Sequence, residues 1–139
     1  YIGIHFFNGG SSRRQDQQAV KILGFQFIEG PVWVGDSADG HLLFSDIPAD
    51  TVYRWSETDG TSVFLNPVFL PELETNGQGG SNGLTLDLDG RVVLCEHGNR
   101  RISRIDDDGM RTTLANRFDG NPSAVIFTVT SSGIMSCAL

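Results

Sequence analysis

Cysteine is scarce in this chain. Cys95 and Cys137 are the two that 139 residues contain, too few for a disulfide framework or a four-cysteine zinc site. Positive charge is scarce as well. Ten Lys and Arg against 17 Asp and Glu leave a formal net charge of −7. That excludes the basic stripe of a nucleic-acid binder and argues against docking on an anionic membrane surface. Arg13-Arg14 and Arg100-Arg101 are isolated pairs. No apolar run approaches the roughly 18 residues of a membrane-spanning helix. The apolar start, Tyr1 to Phe7, lacks the basic flank and small-residue cleavage site of a signal peptide, which leans the expected compartment toward the cytoplasm without fixing it. Gly77-Gln78-Gly79-Gly80 is followed by no Lys-Ser/Thr and there is no Gly-x-Ser-x-Gly, so a phosphate loop and a serine-hydrolase elbow are both excluded.

What the chain does have is a pattern that occurs twice. Glu29-Gly30-Pro31-Val32-Trp33, Asp39-Gly40, Val52-Tyr53-Arg54-Trp55 and Asp59-Gly60 are answered by Asn82-Gly83-Leu84, Asp89-Gly90, Ile102-Ser103-Arg104-Ile105 and Asp108-Gly109. Gly40 and Gly90 are 50 residues apart, Gly60 and Gly109 are 49 apart. Short β-branched and aromatic runs at this period are the signature of propeller blades. Strands are expected near 31–35, 41–45, 51–55 and 61–65, then 83–87, 91–96, 101–105 and 110–114. Type I′ hairpin turns are expected at the Asp-Gly pairs. The fold class is all-β: two four-stranded antiparallel meanders, at about 29–65 and 81–115, of an incomplete propeller. Residues 1–24 read as a flexible lead-in, although Val20 to Phe27 has strand character. Residues 66–81 read as a loop.

Antiparallel alternation puts the start of strand one and the end of strand two of each blade at the same end. Glu29, Asp46, Asn82, Glu96 and His97 are therefore expected on one rim, and Asp39, Asp59, Asp89 and Asp108 on the other. Glu29 lies among Phe27, Ile28, Val32 and Trp33, and an unpaired buried carboxylate is costly. A metal ion, an arginine or simple exposure would each resolve that. Asn82, between Gly80-Ser81 and Gly83, is either a turn residue that tolerates positive φ or a neutral oxygen donor to a cation or substrate hydroxyl. His97 is either a structural residue or a rim group. Asp46 and Glu96 suggest a polar rim or the capping of a neighbouring loop. The Asp-rich segments 87–90 and 106–109 lack calcium-loop spacing and read as turns.

Phe25-Gln26-Phe27-Ile28-Glu29-Gly30-Pro31-Val32-Trp33, Leu43-Phe44-Ser45-Asp46-Ile47-Pro48, Tyr53-Arg54-Trp55, Ser81-Asn82-Gly83-Leu84-Thr85-Leu86-Asp87 and Cys95-Glu96-His97-Gly98-Asn99-Arg100-Arg101 together resemble the gluconolactonase/regucalcin (senescence marker protein) family, over about residues 24–119. The resemblance implies a six-bladed propeller that holds one divalent cation, calcium or zinc, and hydrolyses sugar lactones. It makes Glu29 a metal ligand and sets Asn82 toward the channel, in contact with the metal, its water or the substrate. The family's other metal ligands come from later blades and have no counterparts here. No catalytic role carries over to His97.

The resemblance fades after Gly120, and the divergent tail, 121–139, suggests a frameshift or truncation. Two blades cannot close a ring, and they leave edges and an apolar face uncovered. The chain is accordingly expected to be weakly stable by itself or to need a partner. The expected function is a metal-dependent lactonase acting on a small-molecule sugar lactone, with partial or no activity in this chain. The alternatives are a non-catalytic calcium-binding or interaction module, and a related propeller hydrolase of other esters or organophosphates.

Overall fold

The computed structural model describes residues 24–36, 39–70 and 79–118 and, as backbone strands only, 121–122, 126–129 and 135–138. The lead-in before residue 24 and most of the tail lie outside the described residues. The first sheet runs β1 (Ile28–Val34), β2 (His41–Asp46), β3 (Thr51–Ser56) and β4 (Gly60–Leu65). The second runs β5 (Leu84–Leu86), β6 (Val92–Glu96), β7 (Arg101–Ile105) and β8 (Arg111–Ala115). Each sheet is an antiparallel meander in chain order, as the spacing of the apolar runs predicts. Two small pairs follow: β9 (Arg117–Phe118) with β10 (Asn121–Pro122), and β11 (Ile126–Val129) with β12 (Met135–Ala138).

The repeat extends to the irregularities. Register shifts fall between Val52 and Tyr53 in the first sheet and between Ile102 and Ser103 in the second. Each places one extra residue on the outer strand, Phe64 and Leu114, and both are exposed. Asp50 and Arg100, at matching places in the turn after the second strand, have φ of 53° and 50°.

The hairpin turns differ from expectation. In the Asp59-Gly60, Asp89-Gly90 and Asp108-Gly109 pairs the glycine has positive φ but the aspartate does not. The Gly90 amide donates to the Asp87 carbonyl at 3.0 Å and the Asp87 amide to the Arg91 carbonyl at 2.9 Å, which is a type I turn closed by a glycine bulge. Asp87 explains the choice. Its Oδ1 accepts the amides of Asp89 and Arg91 at 3.0 and 2.9 Å, a local bond that favours the longer loop. Before the first hairpin turn, Gly35 has positive φ and the Trp33 indole donates to the Asp36 carbonyl at 3.2 Å.

The two sheets pack face to face through Leu43, Val52, Leu84, Val92 and Leu94, with Val68 of the connecting segment inserted between them. Val32, Val34, Leu65, Leu86 and Ile105 surround this cluster. Period-2 alternation assigns the faces. Leu43 and Ser45 point at the second sheet. Phe44 points away, where Phe25 meets its ring edge-on at 5.1 Å and Tyr53 stacks on it at 5.7 Å. These are two adjacent blades, with β1 and β5 as the inner strands and β4 and β8 as the outer ones.

Candidate functional site

The inner strands carry the site. β1 begins with Ile28-Glu29, where Ile28 pairs with Asp46 and Glu29 with Ser45. A one-residue bulge then separates the Glu29 and Val32 pairings. Gly30-Pro31 fills it, which suits a proline that has no amide to give the ladder. Gly30 has φ 58° and lies directly on the neighbouring blade. A Cβ there would stand 2.8 Å from Gly83 Cα and 2.8 Å from the Leu84 nitrogen, and would strike the Asn82 carbonyl oxygen. Only glycine permits this approach, so the Glu-Gly pair brings Glu29 beside the Asn82–Leu84 backbone.

Asn82 is fixed from the other side. Its amide donates to the Cys95 carbonyl at 3.0 Å, and the Cys95 amide donates to the Gly83 carbonyl at 3.0 Å. Among the described residues, Asn82 Oδ1 is the one buried side-chain polar atom without a hydrogen-bond partner. Leaving a buried acceptor unmet costs about 1–3 kcal/mol, and native proteins keep few such atoms. An oxygen ligand site for a hard cation is an arrangement that resolves it. Glu29, half-buried on the adjacent strand, adds an anionic oxygen donor. Both are oxygen donors of the type a divalent cation takes. Among the described residues no group of three His, Cys, Asp or Glu side chains could hold a metal, so they would furnish a fraction of the ligand set.

The remaining rim candidates have other partners. The Asp46 carboxylate is 2% exposed and accepts the amides of Gln26 and Phe27 at 3.1 and 3.0 Å. It therefore caps the chain entering β1, the second of the two readings its position allows. Glu96 ends β6 at the expected end of the blade, but its carboxylate turns into the interface and is fully buried. Arg101 donates to it through Nε at 2.8 Å and Nη2 at 3.1 Å. Arg111 Nη1 lies at 3.3 Å, and Ser103 and Asn99 complete the shell. Two guanidiniums on the same face supply the partners a buried carboxylate needs. His97 is half-buried just beyond β6, its carbonyl accepting the Arg100 amide at 3.2 Å. Asp89 stands at the opposite end, where Arg91 Nη2 reaches it at 2.5 Å.

Sequence reasoning missed the ties between the two blades. Ser45 and Ser81, both fully buried, share a hydrogen bond of 2.8 Å. Asp50 gathers the connecting segment. The Asn99 carboxamide accepts the Leu70 amide at 2.8 Å and donates to the Val68 carbonyl at 2.9 Å. No local sequence signal could have found these ties, since the residues they join lie 19 to 36 apart in the chain.

The family described as SMP-30/Gluconolactonase/LRE-like region matches residues 27–127. A gluconolactonase of Zymomonas mobilis is 39% identical over 84 residues, which are 58% of this chain and 23% of that protein. Among solved structures, a gluconolactonase from Xanthomonas campestris superposes with a TM-score of 0.60 at 30% identity, over 78% of this chain and 33% of its own length. Virginiamycin B lyase from Staphylococcus aureus superposes at 0.54 over 89% of this chain and 39% of its own. At 19% identity it speaks to the fold alone. The chain thus spans less than a quarter of the curated relative it matches. On the family match over residues 27–127, the chain belongs to the SMP-30/gluconolactonase/LRE-like family.

Proposed function

We propose that these two blades carry part of the divalent-cation site of a hydrolase that opens small sugar lactones. The observation that carries the reading is the orphaned, buried Asn82 Oδ1 beside the strand that bears Glu29. Family membership supports the reaction class, since relatives in sequence and in structure are gluconolactonases. A bound divalent cation, calcium or zinc, supplies Lewis acidity toward the lactone carbonyl and lowers the pKa of a bound water. Glu29 contributes an anionic oxygen and Asn82 a neutral one, both of which calcium takes, while zinc takes the carboxylate. Asn82, held by its backbone to Cys95, can meanwhile present its carboxamide nitrogen to a water or a substrate hydroxyl.

The test is a calcium and zinc titration of the full chain followed by a gluconolactone hydrolysis assay, with wild type and Glu29→Gln compared. Metal-dependent turnover lost in the variant is the expected result. Metal binding lost in the variant, with no turnover in either protein, would assign these blades a cation-binding role without catalysis. A wild type that binds neither metal would overturn the reading.

A further inference from the structure

Asp50 lies outside the site, in the turn between β2 and β3, yet it governs the chain that leads into Asn82. Its Oδ1 accepts the Phe69 amide at 2.9 Å and the Gly80 amide at 2.6 Å. Its carbonyl accepts the Val68 amide at 3.1 Å. One carboxylate oxygen thus holds both the departure and the return of the connection between the blades. The fit at the return is tight. A Cβ on Gly80 would stand 2.8 Å from the Ile47 carbonyl oxygen and 2.9 Å from its Cα, and one on Gly79 would stand 2.8 Å from Asp50 Cγ.

From Gly80, one residue separates the tether from Asn82. That residue, Ser81, is bonded to Ser45, and the Asn82 amide is bonded to Cys95. The segment 80–82 is therefore pinned at three successive residues. The Gly80 pin is a charge-assisted bond, roughly twice as strong as a neutral one, and neither of its partners belongs to a β-ladder. We propose that Asp50 is a positioning residue for Asn82: through the Gly80 amide, its carboxylate sets where Asn82 Oδ1 stands relative to Glu29. This deepens the metal-site reading and rests on it for the affinity measurement, but not for the structural one.

Two substitutions separate the acceptor from the backbone conformation. Asp50→Gly keeps φ near 53° at no steric cost and removes the acceptor. Asp50→Asn tolerates the same φ and keeps an acceptor oxygen. On the full chain, the Gly80 amide exchange rate and the Asn82 side-chain NH2 resonance are read by NMR, and calcium and zinc affinities by titration with the metal alone. In Asp50→Gly the Gly80 amide should exchange at least roughly tenfold faster, as an amide released from its bond does, and the Asn82 resonance should shift. Metal affinity should fall about tenfold, the usual effect of losing a partner that orients a ligand. Asp50→Asn should stay near wild type in all three. In an Asn82→Ala background Asp50→Gly should have no further effect on affinity, since a double-mutant cycle isolates coupling.

Unchanged Gly80 exchange and an unmoved Asn82 resonance in Asp50→Gly would overturn the proposal. So would an equal loss of affinity with and without Asn82. If wild type binds neither metal, the metal-site reading fails and the NMR measurements alone decide the Asp50 assignment. Should Asp50→Gly lose its cooperative melt, Asp50→Ser, which replaces the charged acceptor with a shorter, neutral hydroxyl, is read in the same way.

Discussion

The Ser45 and Ser81 hydroxyls meet at 2.8 Å across the two blades, with neither side chain exposed. Ser45 is the register partner of Glu29 and Ser81 precedes Asn82, so this bond joins the two elements of the candidate site. A buried hydroxyl that loses its partner costs about 1–3 kcal/mol, whereas removing both partners is close to neutral. Ser45→Ala and Ser81→Ala should each lower the melting temperature, and the double variant should lose less than the sum of the two. Denaturant midpoints of the four proteins check this, and strict additivity would show that the bond does not couple the blades.

Gly30 makes a different demand. Its φ of 58° and its closeness to Gly83 and Leu84 leave no room for a side chain. Gly30→Ala must either strain the bulge or push β1 away from β5. A loss of more than about 1 kcal/mol is expected from the left-handed backbone alone. Gly60→Ala is the control, since it too has positive φ but meets nothing within 4 Å. The melt of Gly30→Ala should lie well below that of Gly60→Ala; equal losses would mean that contact between the blades adds nothing.

The strands were legible because period-2 runs and turn residues are local signals. Val52 faces the core between the sheets, and Tyr53 stacks on Phe44 on the other face. Asp46 and Glu96 show where legibility stops. They occupy equivalent places in the repeat, and the sequence does not say which partner each carboxylate takes. Yet Asp46 bonds the amides of residues 26 and 27, and Glu96 bonds the Arg101 and Arg111 guanidiniums. The difference lies in what stands opposite, Thr51 in one blade and Arg101 in the other, and in a connecting segment that threads past one of them. Asp50 was unreadable for the same reason, since its partners are 19 and 30 residues away. The turn type failed on a local cause, the Asp87 side chain competing for the backbone.

Glu96 gives the largest stability prediction. With Arg101 and Arg111 only 9% and 12% exposed, Glu96→Ala would leave two guanidiniums enclosed without their counterion. Breaking a buried pair from one side costs about 3–5 kcal/mol, a large share of the roughly 5–15 kcal/mol of an ordinary domain. Glu96→Ala should therefore unfold at markedly lower denaturant or accumulate as insoluble protein. Restoring a charge-balanced interface with Glu96→Leu, Arg101→Met and Arg111→Met together should recover much of the loss. A single Glu96→Ala that melts like wild type would show that the cluster is spectator to folding.

His41 sets the response to acid. At the start of β2, its imidazole is held below its ordinary value of 6.5, first by partial burial and then by the nearby Arg54 charge. The folded chain thus favours the neutral ring more than the unfolded chain does. That preference is fully present above pH 6.5 and is lost as pH falls from there through the lower folded value. The lowered carboxylates act in a separate window. Burial pushes Asp87 upward, but the Arg91 amide and guanidinium outweigh it, and the Thr112 hydroxyl and Arg104 hold Asp106 down. Their contributions persist until pH falls to about 3.8, the ordinary carboxyl value from which both depart. A melting-temperature profile should therefore begin to decline just below pH 6.5, and His41→Gln should flatten that upper part while leaving the decline below about pH 3.8 unchanged. An NMR titration of the His41 ring with a midpoint at or above 6.5, or a His41→Gln profile that superimposes on wild type, would refute the assignment.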